Sequence, residues 1–235
     1  MILTDFAKAV GQLGDRRFLG VLAIGLALTI GLLVAFYLGF VGLVGWFLPD
    51  SFSLPWIGEV TWVDNALTWA GIPLILLLSI FLMVPVASAF TGMFLEQIAQ
   101  AVEDKHYPGL PPARPIGLVE GILDGLKFLA VLIGVNLLAL VLYIALPPLA
   151  PFLFWGVNGV LLGREYAQVV ALRRSDAAGA AAFRKRHRGT IFAAGVLMTV
   201  PLTIPVINLL VPILGAATFT HLYHRLSAAR PSRTG

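Results

Sequence analysis

LPPLAP at 146–151 and VPLTIPVINLLVP at 200–212 interrupt two apolar stretches with prolines where a membrane-spanning helix would run unbroken. Proline lacks a backbone donor and clashes with the preceding turn. Two or three within a dozen residues therefore predict helix, tip, helix in each stretch. In a membrane protein, paired broken segments are where a permeation or binding site is first sought.

A membrane setting follows from composition: 59% hydrophobic residues and 12% charged, with a mean hydropathy of +0.92, beyond the range of soluble domains. The 235 residues leave room for one membrane domain, 1–235, and no sizeable soluble one. The first apolar run starts behind Arg16 and Arg17, extends from Phe18 to Leu48 and lacks an obvious small-residue cleavage site, so a retained helix is expected. Cysteine is absent, which excludes disulfides, thiolate metal sites and cysteine nucleophiles.

A net charge of +4 and a pI near 9.7 could suggest nucleic acid, but the charges report topology and no nucleic-acid partner is expected. Of the 16 Lys and Arg, one group precedes the first span, one follows the second, one lies between the broken stretches and one ends the chain. Pro49 to Asn65 carries Asp50, Glu59 and Asp64 with no Lys or Arg, and both proline tips are uncharged. The positive-inside rule then places every basic segment, and both termini, in the cytoplasm.

Residues 1–15 set Leu3, Phe6, Val10 and Leu13 at helical spacing opposite Asp5, Lys8 and Gln12, which suits a short interfacial helix. Residues 18–48 and 66–104 form two long helices, the second returning through 66–90 with Trp56, Trp62 and Trp69 placed as an interfacial belt and a possible kink at Pro85. Residues 116–164 hold an approach helix and the first hairpin, 165–188 a cytoplasmic connector and 189–225 the second hairpin. The arms Pro151 to Arg164, Pro212 to Arg225 and Gly189 to Val200 are each roughly 18–20 Å long as helix, short of a ~30 Å hydrocarbon core. Half-penetrating hairpins are the expectation. Against it, Leu126 to Leu146 is long enough to span alone, and prolines within a full span can act as kinks.

No carboxylate occurs in 18–48, 66–90, 128–163 or 190–223, so a carboxylate proton or sodium relay has no parts. Asn136, Asn158, Thr199, Thr203 and Asn208 are the neutral polar residues inside; they could line an anion pathway or hydrogen-bond between helices. Arg16 and Arg17 beside Gly14 and Asp15, where a helix begins, join fork-shaped donors to free helical N–H groups and suit a tetrahedral oxyanion. The same arginines would also serve as ordinary topology determinants, and Asp15 opposes an anion there. RKRHR at 184–188 suits solvent and lipid headgroups. His221 and His224 at i, i+3 lack a nearby carboxylate or cysteine, so no metal is assigned, and no cofactor motif or catalytic signature points to an enzyme.

The RRF start of the first span at 16–18, FTGMFLEQ at 90–97, Tyr166 and IPVINLLVPILGAAT at 204–218 resemble the CysZ sulfate permease family, grouped with the etoposide-induced protein family, over nearly the whole chain. The resemblance implies an all-α integral membrane protein of the bacterial inner membrane, with two long transmembrane helices, two half-penetrating hairpins and homo-oligomeric assembly. It implies channel-like uptake of sulfate or a related oxyanion for cysteine synthesis, with the anion at Gly14, Asp15, Arg16 and Arg17. Glu96 would give helix-end polarity and Asn208 a pathway or packing contact. Asp15 stands where that family usually has an apolar residue, and its proline a few residues into the helix is missing, with Ala23 nearby. The alternative is a scaffold or lipid-interacting protein of the same fold.

Overall fold

The computed structural model describes residues 1–47, 53–54, 58–59 and 94–228. They divide into two compact units, Met1–Leu22 with Thr91–Gly235, and Ala23–Phe90. The expected return span at 66–90, its tryptophans and Pro85 lie outside the described residues.

Helix α1 covers Ile2–Gly11 and α2 Arg16–Phe47. A two-residue antiparallel ladder follows, pairing Ser53 with Glu59 and Leu54 with Gly58; every other regular element described is helical. Helix α3 is described over 94–106. Then come α4 (Leu118–Ala145), a 3₁₀ turn (Pro147–Leu149), α5 (Ala150–Arg174), α6 (Ala177–Arg186), α7 (Arg188–Leu202), the single turn α8 (Pro205–Asn208) and α9 (Val211–Ala228).

The chain turns where the prolines stand. Pro147 and Pro148 open the 3₁₀ turn after α4, and Pro151 sits in the first turn of α5, where its missing donor has no helical partner to lose. Pro201 lies in the last turn of α7, Pro205 begins α8 and Pro212 falls in the first turn of α9. Helix α5, however, runs unbroken through position 164, where charge divides hairpin from connector, and reaches Arg174.

The first unit is built around α9, whose residues from Ile213 to Leu222 are all buried, together with Val211. Helices α1, α5 and α7 pack on it. The tightest seam joins α5 to α7, because Gly159 and Gly163, one turn apart, meet Gly195: a Cβ on Gly195 would lie 2.0 Å from the Gly159 carbonyl oxygen. Small residues at this spacing let helix backbones touch and gain dispersion contacts. A Cβ on Gly215 would lie 2.4 Å from the Tyr166 ring, which thus fills the α5–α9 seam and donates its hydroxyl to the Val211 carbonyl at 3.4 Å.

Among the described residues, two helices are long and apolar enough to cross a membrane, over Arg16–Phe36 and Val119–Ala145. The second is α4, the longer arm expected of the first hairpin. It lies against α5 and exposes Leu126, Ile133, Leu137, Val141 and Ile144. On α1, Asp5 and Ala9 are buried against the protein, while Leu3, Lys8 and Val10 are exposed; Gln12, just past its end, is buried too. Burial of Asp5 is compensated by Arg225 of α9, whose Nε and Nη2 donate to its carboxylate at 3.0 and 2.7 Å.

Candidate functional site

The turn between α1 and α2 carries the four residues expected to meet an oxyanion. Gly14 ends the turn, and Asp15 is the N-cap of α2: its Oδ1 accepts the backbone N–H of Arg17 at 3.0 Å. Asp is among the best N-caps because it accepts a donor that has no helical partner. That hydrogen bond is the main reason its carboxyl lies below the usual aspartate value. A helix start suited to an anion thus already holds one, supplied by the chain.

Gln12 ties the turn to α3. Its Nε2 donates to Asp15 Oδ2 at 3.2 Å and to the buried Ala101 carbonyl at 3.3 Å. Arg17 makes a second tie, its Nη1 donating to Asp104 of α3, where Gln100 also donates at 2.7 Å. Arg17 first, then Gln100, holds the Asp104 carboxyl below its ordinary value. The Arg17–Asp104 pair is exposed, so water and salt screen it and an incoming divalent anion can compete for the guanidinium. Arg16 is exposed, and its side chain has no hydrogen bond or ion pair among the described residues. Of the four residues, Arg16 has its guanidinium free, Arg17 shares its own, and Asp15 competes with any anion.

Along α3 from this turn lies a charged cluster that local pattern did not reveal. Glu96, Gln100 and Glu103 follow one another at helical spacing on α3, and all three accept from Arg173 of α5, at 2.9, 2.8 and 3.0 Å. Arg174 donates to both oxygens of Glu103 and to the Pro111 carbonyl, and His224 of α9 donates from Nε2 to Glu103 Oε1 at 3.0 Å. Burial alone would push the Glu103 carboxyl up; the hydrogen bonds from His224, Arg174 and Arg173 hold it down, at about 2. One carboxylate thus joins α3, α5 and α9. Glu96, expected to give helix-end polarity, is the exposed outer member of this cluster. His221 is wholly buried, shares a hydrogen bond with the Tyr107 hydroxyl through Nδ1 (3.0 Å), and meets the edge of the His106 ring.

The neutral polar residues look inward to their own helices. Asn136 donates to the Leu132 carbonyl and Asn158 to that of Phe154, at 2.8 and 2.9 Å. Thr199 and Thr203 donate to the carbonyls of Val196 and Val200, each at 2.7 Å. Bonding back to the preceding turn satisfies a hydroxyl or amide without a neighbouring helix. Asn208 closes α8 at the tip between α7 and α9, exposed, with no side-chain partner among the described residues.

The family model described as Sulfate transporter CysZ/Etoposide-induced protein 2.4 matches residues 5–212 of the chain. No curated relative matches it.

Proposed function

Because the chain belongs to the Sulfate transporter CysZ/Etoposide-induced protein 2.4 family, we propose that it is a bacterial inner-membrane permease. It passes sulfate or a related oxyanion inward without a coupling ion. The observation that carries this reading is the family match over residues 5–212, which includes paired arginines at the start of an apolar helix, one of them free. Arg16 captures the anion, Arg17 exchanges Asp104 for it, and the Gly14 backbone leaves room for its approach. Glu96 and Asn208 serve as helix-end and tip polarity. Both termini are cytoplasmic, the protein works as a homo-oligomer among membrane lipids, and the sulfate supplies sulfur assimilation.

Both hairpins stop within the bilayer in this reading. Asp124 of α4 is level with Gln168 of α5, joined at 2.7 Å. The uncharged part of α5, from Ala150 to Gly163, is only about 21 Å long. The two arms share one tip, so the shorter sets its depth unless α4 tilts.

A second reading, a membrane scaffold of the same fold, is favoured by one observation: Asp15 occupies an N–H that an anion would use. Expression in bacteria stripped of their own sulfate uptake separates the two. Growth on sulfate as the only sulfur source supports the permease; no growth, with the protein present in the membrane, supports the scaffold.

A further inference from the structure

Three cations at the foot of the first helix pair have no side-chain hydrogen bond or ion pair among the described residues: Lys127 of α4, Arg164 of α5 and Arg184 of α6. Arg184 is half-buried, and its Nε is shut off from water with no acceptor. Arg164 lies close enough to repel it, and the carboxylate that attracts it, Asp124, already accepts from Gln168 at 2.7 Å. Arg164 stands one turn before Gln168 on α5, and Lys127 one turn after Asp124 on α4, so both lie on the tip side of that bond. Guanidinium groups crowded together without acceptors are costly unless an anion sits between them.

What adjoins them is apolar. On the same faces, toward the tip, α4 exposes Leu138 and Val141, and α5 exposes Val160. A free oxyanion has no use for that surface, whereas a molecule with a phosphate at one end and acyl chains at the other matches both parts. We propose that Lys127, Arg164 and Arg184 bind the phosphate of an anionic phospholipid whose acyl chains lie along α4 and α5. Arginine forks suit the phosphate, and the lysine adds a point charge.

The proposal rests on the membrane placement given above and not on transport, so its test measures no transport. The full chain is reconstituted, and electron paramagnetic resonance reads the motionally restricted fraction of spin-labelled phosphatidylglycerol against spin-labelled phosphatidylcholine. The intact chain should prefer phosphatidylglycerol by about fivefold or more, since each basic group at a surface contributes roughly that factor. Arg164→Gln with Arg184→Gln should remove most of the preference, leaving at most the part due to Lys127, while Lys185→Gln with Arg186→Gln, the same charge change at exposed positions, should leave most of it. Equal loss in both double variants would mean diffuse attraction and would overturn the site, as would no loss in the first. If sodium sulfate but not sodium chloride of equal ionic strength removes the preference, the cluster serves a free oxyanion and the lipid assignment falls. A chain that restricts neither lipid is not in the bilayer, an outcome that overturns the membrane placement as well. Retained thermal unfolding of each variant shows that a changed ratio is not a folding failure.

Discussion

Glu103 and Arg173 form an ion pair of 3.0 Å between α3 and α5 in which the two side chains are only 2% and 1% exposed. The pair survives burial because each partner has further ones: Arg173 reaches Glu96 and Gln100, and Glu103 takes Arg174 and His224. Such a cluster fixes the mutual register of three helices.

Removing one side should cost more than removing the other. Glu103→Gln leaves the buried Arg173 without its buried counter-ion and should destabilise by about 3–5 kcal/mol. Arg173→Met leaves Glu103 still held by Arg174 and His224, so its loss should be smaller. Thermal unfolding in detergent gives the order directly; an Arg173→Met protein less stable than Glu103→Gln would mean that Glu103 is not the hub.

The same carboxylate sets an acid limit. Its folded value, about 2, lies below its ordinary value of 4.5. The stabilisation it provides is therefore complete above pH 4.5 and is lost as pH falls toward 2, amounting to ~3 kcal/mol. Unfolding temperature measured from pH 7 down to pH 2 should fall mainly below pH 4.5 in the intact chain, and less steeply in Glu103→Gln. Parallel curves would remove Glu103 as the cause.

At the α5–α7 seam the test is steric. Gly195→Ala places a Cβ 2.0 Å from the Gly159 carbonyl oxygen, whereas Gly189→Ala meets nothing within 4 Å. The first should cost about 3 kcal/mol by forcing the helices apart, and the second should be neutral or slightly stabilising. Equal stability of the two variants would show that the helices do not touch at Gly195.

Asp15 should weaken oxyanion binding at the proposed site, the start of α2. Asp15→Asn keeps an N-cap acceptor and removes the negative charge, so sulfate should bind more tightly by about threefold to fivefold. Equilibrium dialysis with radiolabelled sulfate measures this; unchanged affinity would place the anion elsewhere.

The proline breaks were legible because their cause is local: Pro147, Pro148 and Pro151 act on their own turns whatever surrounds them, and the chain turns there. The paired arginines were legible as a helix start for the same reason. Arg173 and Arg174 were not separable from surface topology signals, because their partner Glu103 is 70 and 71 residues away and only packing brings the helices together. A signal did exist in the spacing of Glu96, Gln100 and Glu103 along one stripe of α3, a polar row that required a basic partner. Asn136 and Thr199 are different, since a residue that bonds its own preceding turn has the same sequence as one that lines a path or bonds a neighbouring helix.

Passage of sulfate by this chain is tested most directly by uptake of radiolabelled sulfate into proteoliposomes, comparing the intact protein, an Arg16→Ala, Arg17→Ala double variant and empty vesicles. The expected result is uptake by the intact protein well above empty vesicles, and uptake by the double variant close to them. Uptake by the intact protein no greater than in empty vesicles would contradict sulfate passage. Equal uptake by both proteins would leave passage standing and remove the arginines from it.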